Sequence, residues 1–254
     1  MPTTMEVLFA PAEFAALADR DLDRTVCVVF DIFRATSTIV TALANGASAI
    51  IPVAEIPDAL ALRHQQPDVL LAGERDGLRI RADLTGGLDF DLGNSPREFT
   101  PERVQGKTIV LSTTNGSRAL RACSPARSVI IGSFLNLRAT AEYLARLAPD
   151  HLLLVCSGTI NQASYEDVLG AGAMAGLLWP RYSGGEIADS AKIALQIFQQ
   201  NRHNLLEAAE HCRNGRRLLS MPELRDDVPW CLQRDLFSMV AGLEGWSVRK
   251  ILPA

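Results

Sequence analysis

The chain has 254 residues, of which 48% are apolar and 21% charged, with a formal net charge of −4. This composition excludes a disordered chain and argues against a broad nucleic-acid or anionic-membrane surface, while the length suffices for one sizeable core or two closely packed halves. Five cysteines (Cys27, Cys123, Cys156, Cys212 and Cys231) are odd in number and form no CxxC pair, which fits a reducing compartment better than a disulfide framework.

The opening stretch MPTTMEVLFAPAEF carries no basic region leading into a long apolar run, so no signal peptide is read there. No segment approaches the roughly 20 apolar residues that cross a bilayer. A cytoplasmic location is expected. The first predicted strand is Thr25 to Phe30, β-branched and apolar, followed by helix-compatible spacing from Ser37 to Asn45. Ala49 to Val53 reads as the next strand, with a helix over Ile56 to Gln65. Val69 to Ala72 is a short strand running into GERDG. Thr108 to Ser112 leads into TTNGSRALRAC, Ser128 to Gly132 into SFLNLRATAEYLARLA, and His151 to Cys156 into SGTINQASYEDVLGAGAMAGLL. From about Asp189 the pattern is mostly helical, with a closing strand at Trp246 to Leu252. Arg79 to Pro101 is a long loop rich in glycine, aspartate and proline, and such loops are often functional.

Short apolar strands alternating with helices predict an α/β protein with a buried, largely parallel sheet covered on both faces. One domain over 1–254 is expected. A subdomain division near 146–150 and two similar halves stay open, since no strict repeat is visible.

Polar residues gather where these strands end, the place at which open α/β sheets collect ligands. Asp31, Arg34, Thr36, Ser37 and Thr38 follow the first strand; Gly73, Glu74 and Arg75 follow another. Ser112 to Ser117 follow a third, and Ser157 to Thr159 run toward Glu166 and Asp167. Each group has a plain structural alternative. Thr36, Ser37 or Thr38 can cap the helix, Asp31 and Arg34 can pair locally, and Asn115-Gly116 can be a tight turn. Glu166-Asp167 can be a solvated pair on a helix, and Glu74-Arg75 a surface turn.

The combination points further. A hydroxyl-rich helix start with Arg34 and Arg75 makes an anion site. Carboxylates arriving from other strand ends would repel that anion unless a hard cation lay between, and Mg²⁺ suits this role. The expectation is metal-assisted phosphoryl chemistry. No GxxxxGK[ST] loop occurs and no GxGxxG follows the first strand, and the four histidines lack zinc-ligand spacing.

Over essentially its whole length the sequence resembles the 2-phosphosulfolactate phosphatases, the ComB-like proteins of coenzyme M biosynthesis. The likeness rests on VVFDIFRATSTIVTAL from Val28, GER at Gly73 to Arg75, and FDLGNSP at Phe90 to Pro96. GKTIVLSTTNGSRAL from Gly106 and YEDVLGAGAM from Tyr165 complete it. The resemblance implies a Mg²⁺-dependent phosphatase with a three-layer α/β/α fold and a mixed, largely parallel sheet. The family's substrate carries a phosphate monoester, a carboxylate and a sulfonate, so several anion-binding loops are expected.

On chemical grounds Arg34, Thr36 and Ser37 are assigned to phosphate, with Asp31 and Arg34 as the catalytic pair. Mg²⁺ is assigned to Asp31 together with Glu74 or Glu166 and Asp167. Thr113, Thr114, Asn115 and Gly116 are assigned to the carboxylate or sulfonate, and Asn94 and Ser95 to a loop over the substrate. Whether water or Asp31 itself attacks phosphorus stays open.

The sequence departs from the family's pattern after Cys156, where Gln162 stands in place of an arginine. That argues against Cys156 as a nucleophile and leaves another phosphorylated hydroxy acid open as substrate. The expected partner is a small anionic phosphorylated molecule, with no nucleic acid and no membrane, and a homo-oligomer stays open. A non-catalytic anion-sensing protein is the alternative from another class.

Overall fold

The apolar runs become strands of one sheet in the structure, a computed structural model that describes residues 3–251. The strands are β1 (Thr4–Leu8), β2 (Thr25–Phe30), β3 (Ala49–Val53), β4 (Leu70–Arg75), β5 (Leu78–Arg79) and β6 (Thr108–Ser112). They continue with β7 (Ser128–Gly132), β8 (His151–Cys156), β9 (Glu186–Ile187), β10 (Val240–Glu244) and β11 (Ser247–Ile251). Between them lie α1 (Ala35–Ala44), α2 (Ile56–Gln65), α3 (Ala82–Thr85), α4 (Pro101–Val104), α5 (Gly116–Cys123) and α6 (Leu137–Leu147). The later helices are α7 (Tyr165–Tyr182), α8 (Asp189–Asn201), α9 (Leu205–His211), α10 (Arg213–Leu219) and α11 (Asp227–Cys231).

The strand order is β5-β4-β6-β3-β11-β10-β7-β2-β8-β1-β9. Two parallel blocks stand out. In one, β4, β6 and β3 run parallel; in the other, β7, β2, β8, β1 and β9 do. The antiparallel hairpin β10–β11 joins them, pairing Gly242 with Ile130 of β7 and Val248 with Ile50 of β3. All six residues of β2 are buried, as a central strand covered on both faces requires.

Helices lie on both faces, so the architecture is the three-layer α/β arrangement. Residues of α6 to α11 join Val26, Val28 and Phe30 of β2 in one core cluster. Residues of α1 and α5 join Cys27 and Val29, the alternate residues of the same strand, in a second. A third, smaller cluster sits around β3, β4, β6 and α2. Close helix packing depends on Gly172: a Cβ there would lie 2.1 Å from the carbonyl oxygen of Ala194 on α8.

Several expectations shift in detail. β4 runs on to Arg75, so GER is the end of a strand rather than a loop. β1, β5, β9 and β10 were absent from the sequence reading, because they are short or, like TMEVL, mix polar residues among few apolar ones. The loop from Arg79 to Pro101 contains α3 and is anchored by buried Ile80, Phe90, Leu92 and Phe99. Segment 146–150 joins α6 to β8, and β8 lies between β2 and β1 in the common sheet. Leu252, predicted to end the closing strand, lies outside the described residues. Among the described residues no helix is long and apolar enough to cross a membrane.

Candidate active site

Asp31 leaves β2 and is held in a tight turn. Its carbonyl accepts from Thr36 N (3.0 Å) and Thr36 Oγ1 (2.9 Å), and its own N–H donates to Thr36 Oγ1 (3.0 Å). One carboxylate oxygen, Oδ1, accepts from Ala35 N at 3.1 Å. Ser37 Oγ donates to the Ile32 carbonyl at 2.9 Å and lies 3.0 Å from Ser133 Oγ. Thr36 and Ser37, assigned to phosphate on sequence, are thus buried and committed to the start of α1. Thr38 Oγ1 donates to the Asn94 carbonyl at 2.9 Å and ties that loop to α1.

Asp31 after β2, Glu74 at the end of β4, and Glu166 and Asp167 at the start of α7 come from three separate parts of the chain, and all line one cavity of about 190 Å³. Asp167 is fixed at both oxygens, Oδ1 accepting from Ile32 N (2.8 Å) and Oδ2 from Gly158 N (3.0 Å). Glu166 Oε1 accepts from Asn214 Nδ2 at 2.6 Å, while Oε2 is buried without a partner. Glu74 Oε1 accepts from Thr114 N and Oγ1 (3.3 and 3.2 Å), and Oε2 from Gly77 N (2.8 Å).

Burial lifts the Asp31 carboxyl to about 7; the Ala35 N–H works against this, while Glu74 and Glu166 add like-charge repulsion. Burial also pushes Asp167 well up, reinforced by Glu166 and Asp31. Glu166 is raised by burial against the hydrogen bond from Asn214. Carboxylate oxygens of this kind are hard donors of the type that suits Mg²⁺. Among the described residues no three acidic, histidine or cysteine side chains converge closely enough to cage an ion alone. The donor set therefore fits a cation held by one or two carboxylates and completed by water and substrate oxygens, the usual manner of Mg²⁺.

Arg34 borders the same cavity. Its Nη1 donates to Asp227 Oδ2 at 2.6 Å and its Nη2 to the Gly77 carbonyl at 2.5 Å. Asp227 also accepts at Oδ1 from Ser95 Oγ (2.6 Å) and Arg97 Nε (2.8 Å). Ser95 is accordingly a brace for Asp227. Arg75 donates to the Glu74 and Ala54 carbonyls (2.7 and 2.8 Å) and to Ser112 Oγ (3.0 Å), away from the acid pocket's lining. Asn94 is buried with its Oδ1 unpartnered.

The loop after β6 is also engaged internally. Thr113 Oγ1 lies 3.1 Å from Ser117 Oγ, Thr114 bonds to Glu74, and Asn115 Oδ1 accepts from Ile160 N at 3.3 Å. Gly116 serves by lacking a side chain: a Cβ there would lie 2.8 Å from Ala35 Cβ and 3.0 Å from Asp31 Oδ2.

Asp227, Asn214 and Arg217 escaped the sequence reading, although Asn214 and Arg217 line the acid pocket and Asp227 fixes Arg34. Gln162 lies outside the acid pocket's lining, and Arg213 Nη1 on α10 donates to its Oε1 at 2.9 Å. Cys156 is fully buried, and burial pushes its thiol well up, the opposite of an activated nucleophile.

Comparison with known proteins matches the sequence to a family. The profile described as 2-phosphosulpholactate phosphatase matches residues 14–245. A probable 2-phosphosulfolactate phosphatase of Thermotoga petrophila is 41% identical over 216 residues, covering 85% of this chain and 88% of the relative. One from Caldanaerobacter subterraneus subsp. tengcongensis is 38% identical over 238 residues, covering 93% and 95%. Another, from Caldicellulosiruptor saccharolyticus, is 33% identical over 247 residues, covering 94% and 98%. With a match that covers most of the chain and every acid of the pocket, the chain belongs to the 2-phosphosulpholactate phosphatase family.

Proposed function

We propose that the protein is a Mg²⁺-dependent phosphatase that hydrolyses 2-phosphosulfolactate to sulfolactate and phosphate. The observation that carries this reading is the meeting of four carboxylates beside Arg34 in one cavity, with Glu166 Oε2 left without a partner. The names of the relatives point to the same substrate.

In the reaction the water oxygen bonds to phosphorus as the ester P–O bond breaks. Sulfolactate keeps the ester oxygen, which takes a proton from solvent to become its hydroxyl, and the water oxygen leaves with phosphate. Asp31 and Glu166 would hold Mg²⁺, which supplies positive charge to the phosphoryl oxygens when bound. Arg34 adds N–H donors to those oxygens, its guanidinium held still by Asp227 and the Gly77 carbonyl. Glu74, oriented by Thr114 and Gly77, positions the attacking water and takes its proton. Asp167 ties the Ile32 and Gly158 backbones together and so keeps the β2 and β8 ends in register.

The partner implied is a small anionic phosphate ester, not nucleic acid or membrane. A cytoplasmic location suits five cysteines that are all unpaired. Released phosphate from 2-phosphosulfolactate, measured with Mg²⁺ and with EDTA, tests the reading. Release with Mg²⁺ and its loss in EDTA are expected. No release under either condition overturns the enzyme, and release indifferent to EDTA overturns the metal.

A further inference from the structure

A second cavity of about 870 Å³ lies against the acid pocket, and Arg34, Asp76, Gly77 and Asn94 line both. The two differ in sign. Five acidic residues and two arginines line the smaller cavity, whereas six arginines and four acidic residues line the larger. In a chain of net charge −4 the larger lining carries a formal excess of two positive charges, and of its arginines Arg34, Arg79, Arg81, Arg97 and Arg103 each pair with a carboxylate of the protein.

Asn94 stands at the junction. It is buried, its Oδ1 has no partner, and its amide makes no other side-chain hydrogen bond in the described structure. A buried amide left unpaired is costly unless a ligand completes it. Arg79 is likewise underused: only its Nη2 is engaged, with Glu98 Oε2 at 2.8 Å, and the rest of its fork is free for a carboxylate or sulfonate. By contrast, Thr114 in the loop after β6 spends its N–H and hydroxyl on Glu74.

We infer that the arginine-lined cavity binds the non-reacting acid groups of the substrate, with Arg79 and Asn94 as specificity residues. The ester phosphorus then sits in the acid pocket while the carboxylate or sulfonate reaches past Asn94 and Gly77. The substrate class is a phosphate monoester bearing at least one further acid group close to the ester. This inference rests on the phosphatase reading above and adds where the rest of the molecule is held. Both substrate ends gain from the split, because an anionic tail placed among the five acids would be repelled.

The test compares kcat/KM for 2-phosphosulfolactate with that for 4-nitrophenyl phosphate, which lacks a further acid group. In Arg79→Gln the ratio of the two should fall by at least about tenfold, as loss of a charge-assisted fork implies. A ratio within about twofold of wild type overturns the inference. Melting curves accompany the kinetics. If Arg79→Gln does not fold, Arg79→Lys keeps the charge beside Glu98 but loses the fork, and the same ratio decides. A parallel calorimetric titration with sulfolactate in EDTA separates the two readings. If wild type cleaves neither ester, the phosphatase reading falls; weaker sulfolactate binding in the Arg79 variant then still upholds the cavity, and unchanged binding overturns it.

Discussion

Arg34 and Asp227 form an ion pair at 2.6 Å across 193 residues of sequence, with side chains 3% and 0% exposed. Removing one partner from such a pair leaves an uncompensated buried charge, at a cost of about 3–5 kcal/mol. Asp227→Ala should therefore lower the melting temperature strongly. Asp227→Asn keeps the shape and a hydrogen bond but frees the Arg34 fork, so kcat should fall more than stability does. Arg34→Lys should be nearly as inactive as Arg34→Ala, because an ammonium cannot hold Asp227, the Gly77 carbonyl and a phosphoryl oxygen in one plane. Full activity in the lysine variant would show that Arg34 acts only through diffuse charge.

Asp31 links stability to pH. Its carboxyl is raised from 3.8 to about 7, so between these values the folded protein holds a proton that the unfolded chain has lost. This contribution to stability is fully present below 3.8 and is lost as the pH rises through about 7. Asp31→Asn removes the titrating group. In EDTA the variant should show a flatter melting-temperature profile over that window and melt higher than wild type at pH 8, while turnover disappears. A difference of one kcal/mol corresponds to roughly 2–4 °C in a protein of this size. If the variant keeps wild-type kcat at saturating Mg²⁺, or melts lower at pH 8, Asp31 has neither the catalytic role nor the strain assigned to it.

How much of this was legible in the sequence depended on distance along the chain. β2, β4 and β8 announced themselves as apolar runs, and the acids at or after their ends were visible as misplaced charges. Asp31, Glu74, Glu166 and Asp167 do line one cavity. What local spacing cannot carry is pairing between remote segments. Asp227 sits in ELRDDVPW, which reads as a surface helix, yet it is buried under Arg34, Ser95 and Arg97. Asn214 lies in a basic stretch, CRNGRR, whose neighbours suggest a solvated face. Thr36 and Ser37, assigned to phosphate from their hydroxyls, use those hydroxyls to close their own turn, a local bond that spacing alone does not reveal.

Cys156 provides a discriminating control. It ends β8 fully buried, burial pushes its thiol well up, and the corner where a cysteine phosphatase needs an arginine holds Gln162. Cys156→Ser should keep most of the activity and lose some stability, since a hydroxyl replaces a thiol in an apolar setting. Complete loss of turnover in a folded variant would point to thiolate attack and overturn the metal mechanism.

Gly116 offers the sharpest test of site geometry, because it touches the reaction only through space. It begins α5, and a methyl group there would press on Ala35 Cβ at 2.8 Å and on Asp31 Oδ2 at 3.0 Å. Neither neighbour yields easily: Ala35 is buried in the first turn of α1, and its N–H holds Asp31 Oδ1. Gly116→Ala should therefore displace the Asp31 carboxylate. Misplacing a catalytic group by about 1 Å costs up to about 10²-fold in rate, whereas overpacking of this kind costs about 1–3 kcal/mol of stability. The expected result is a large fall in kcat with a modest fall in melting temperature. Gly184→Ala is the matched control, since nothing lies within 4 Å of its Cβ position. Wild-type kcat in a folded Gly116→Ala protein would mean that the Asp31 carboxylate can move without consequence, and the acid pocket would lose its claim to be the place where phosphorus reacts.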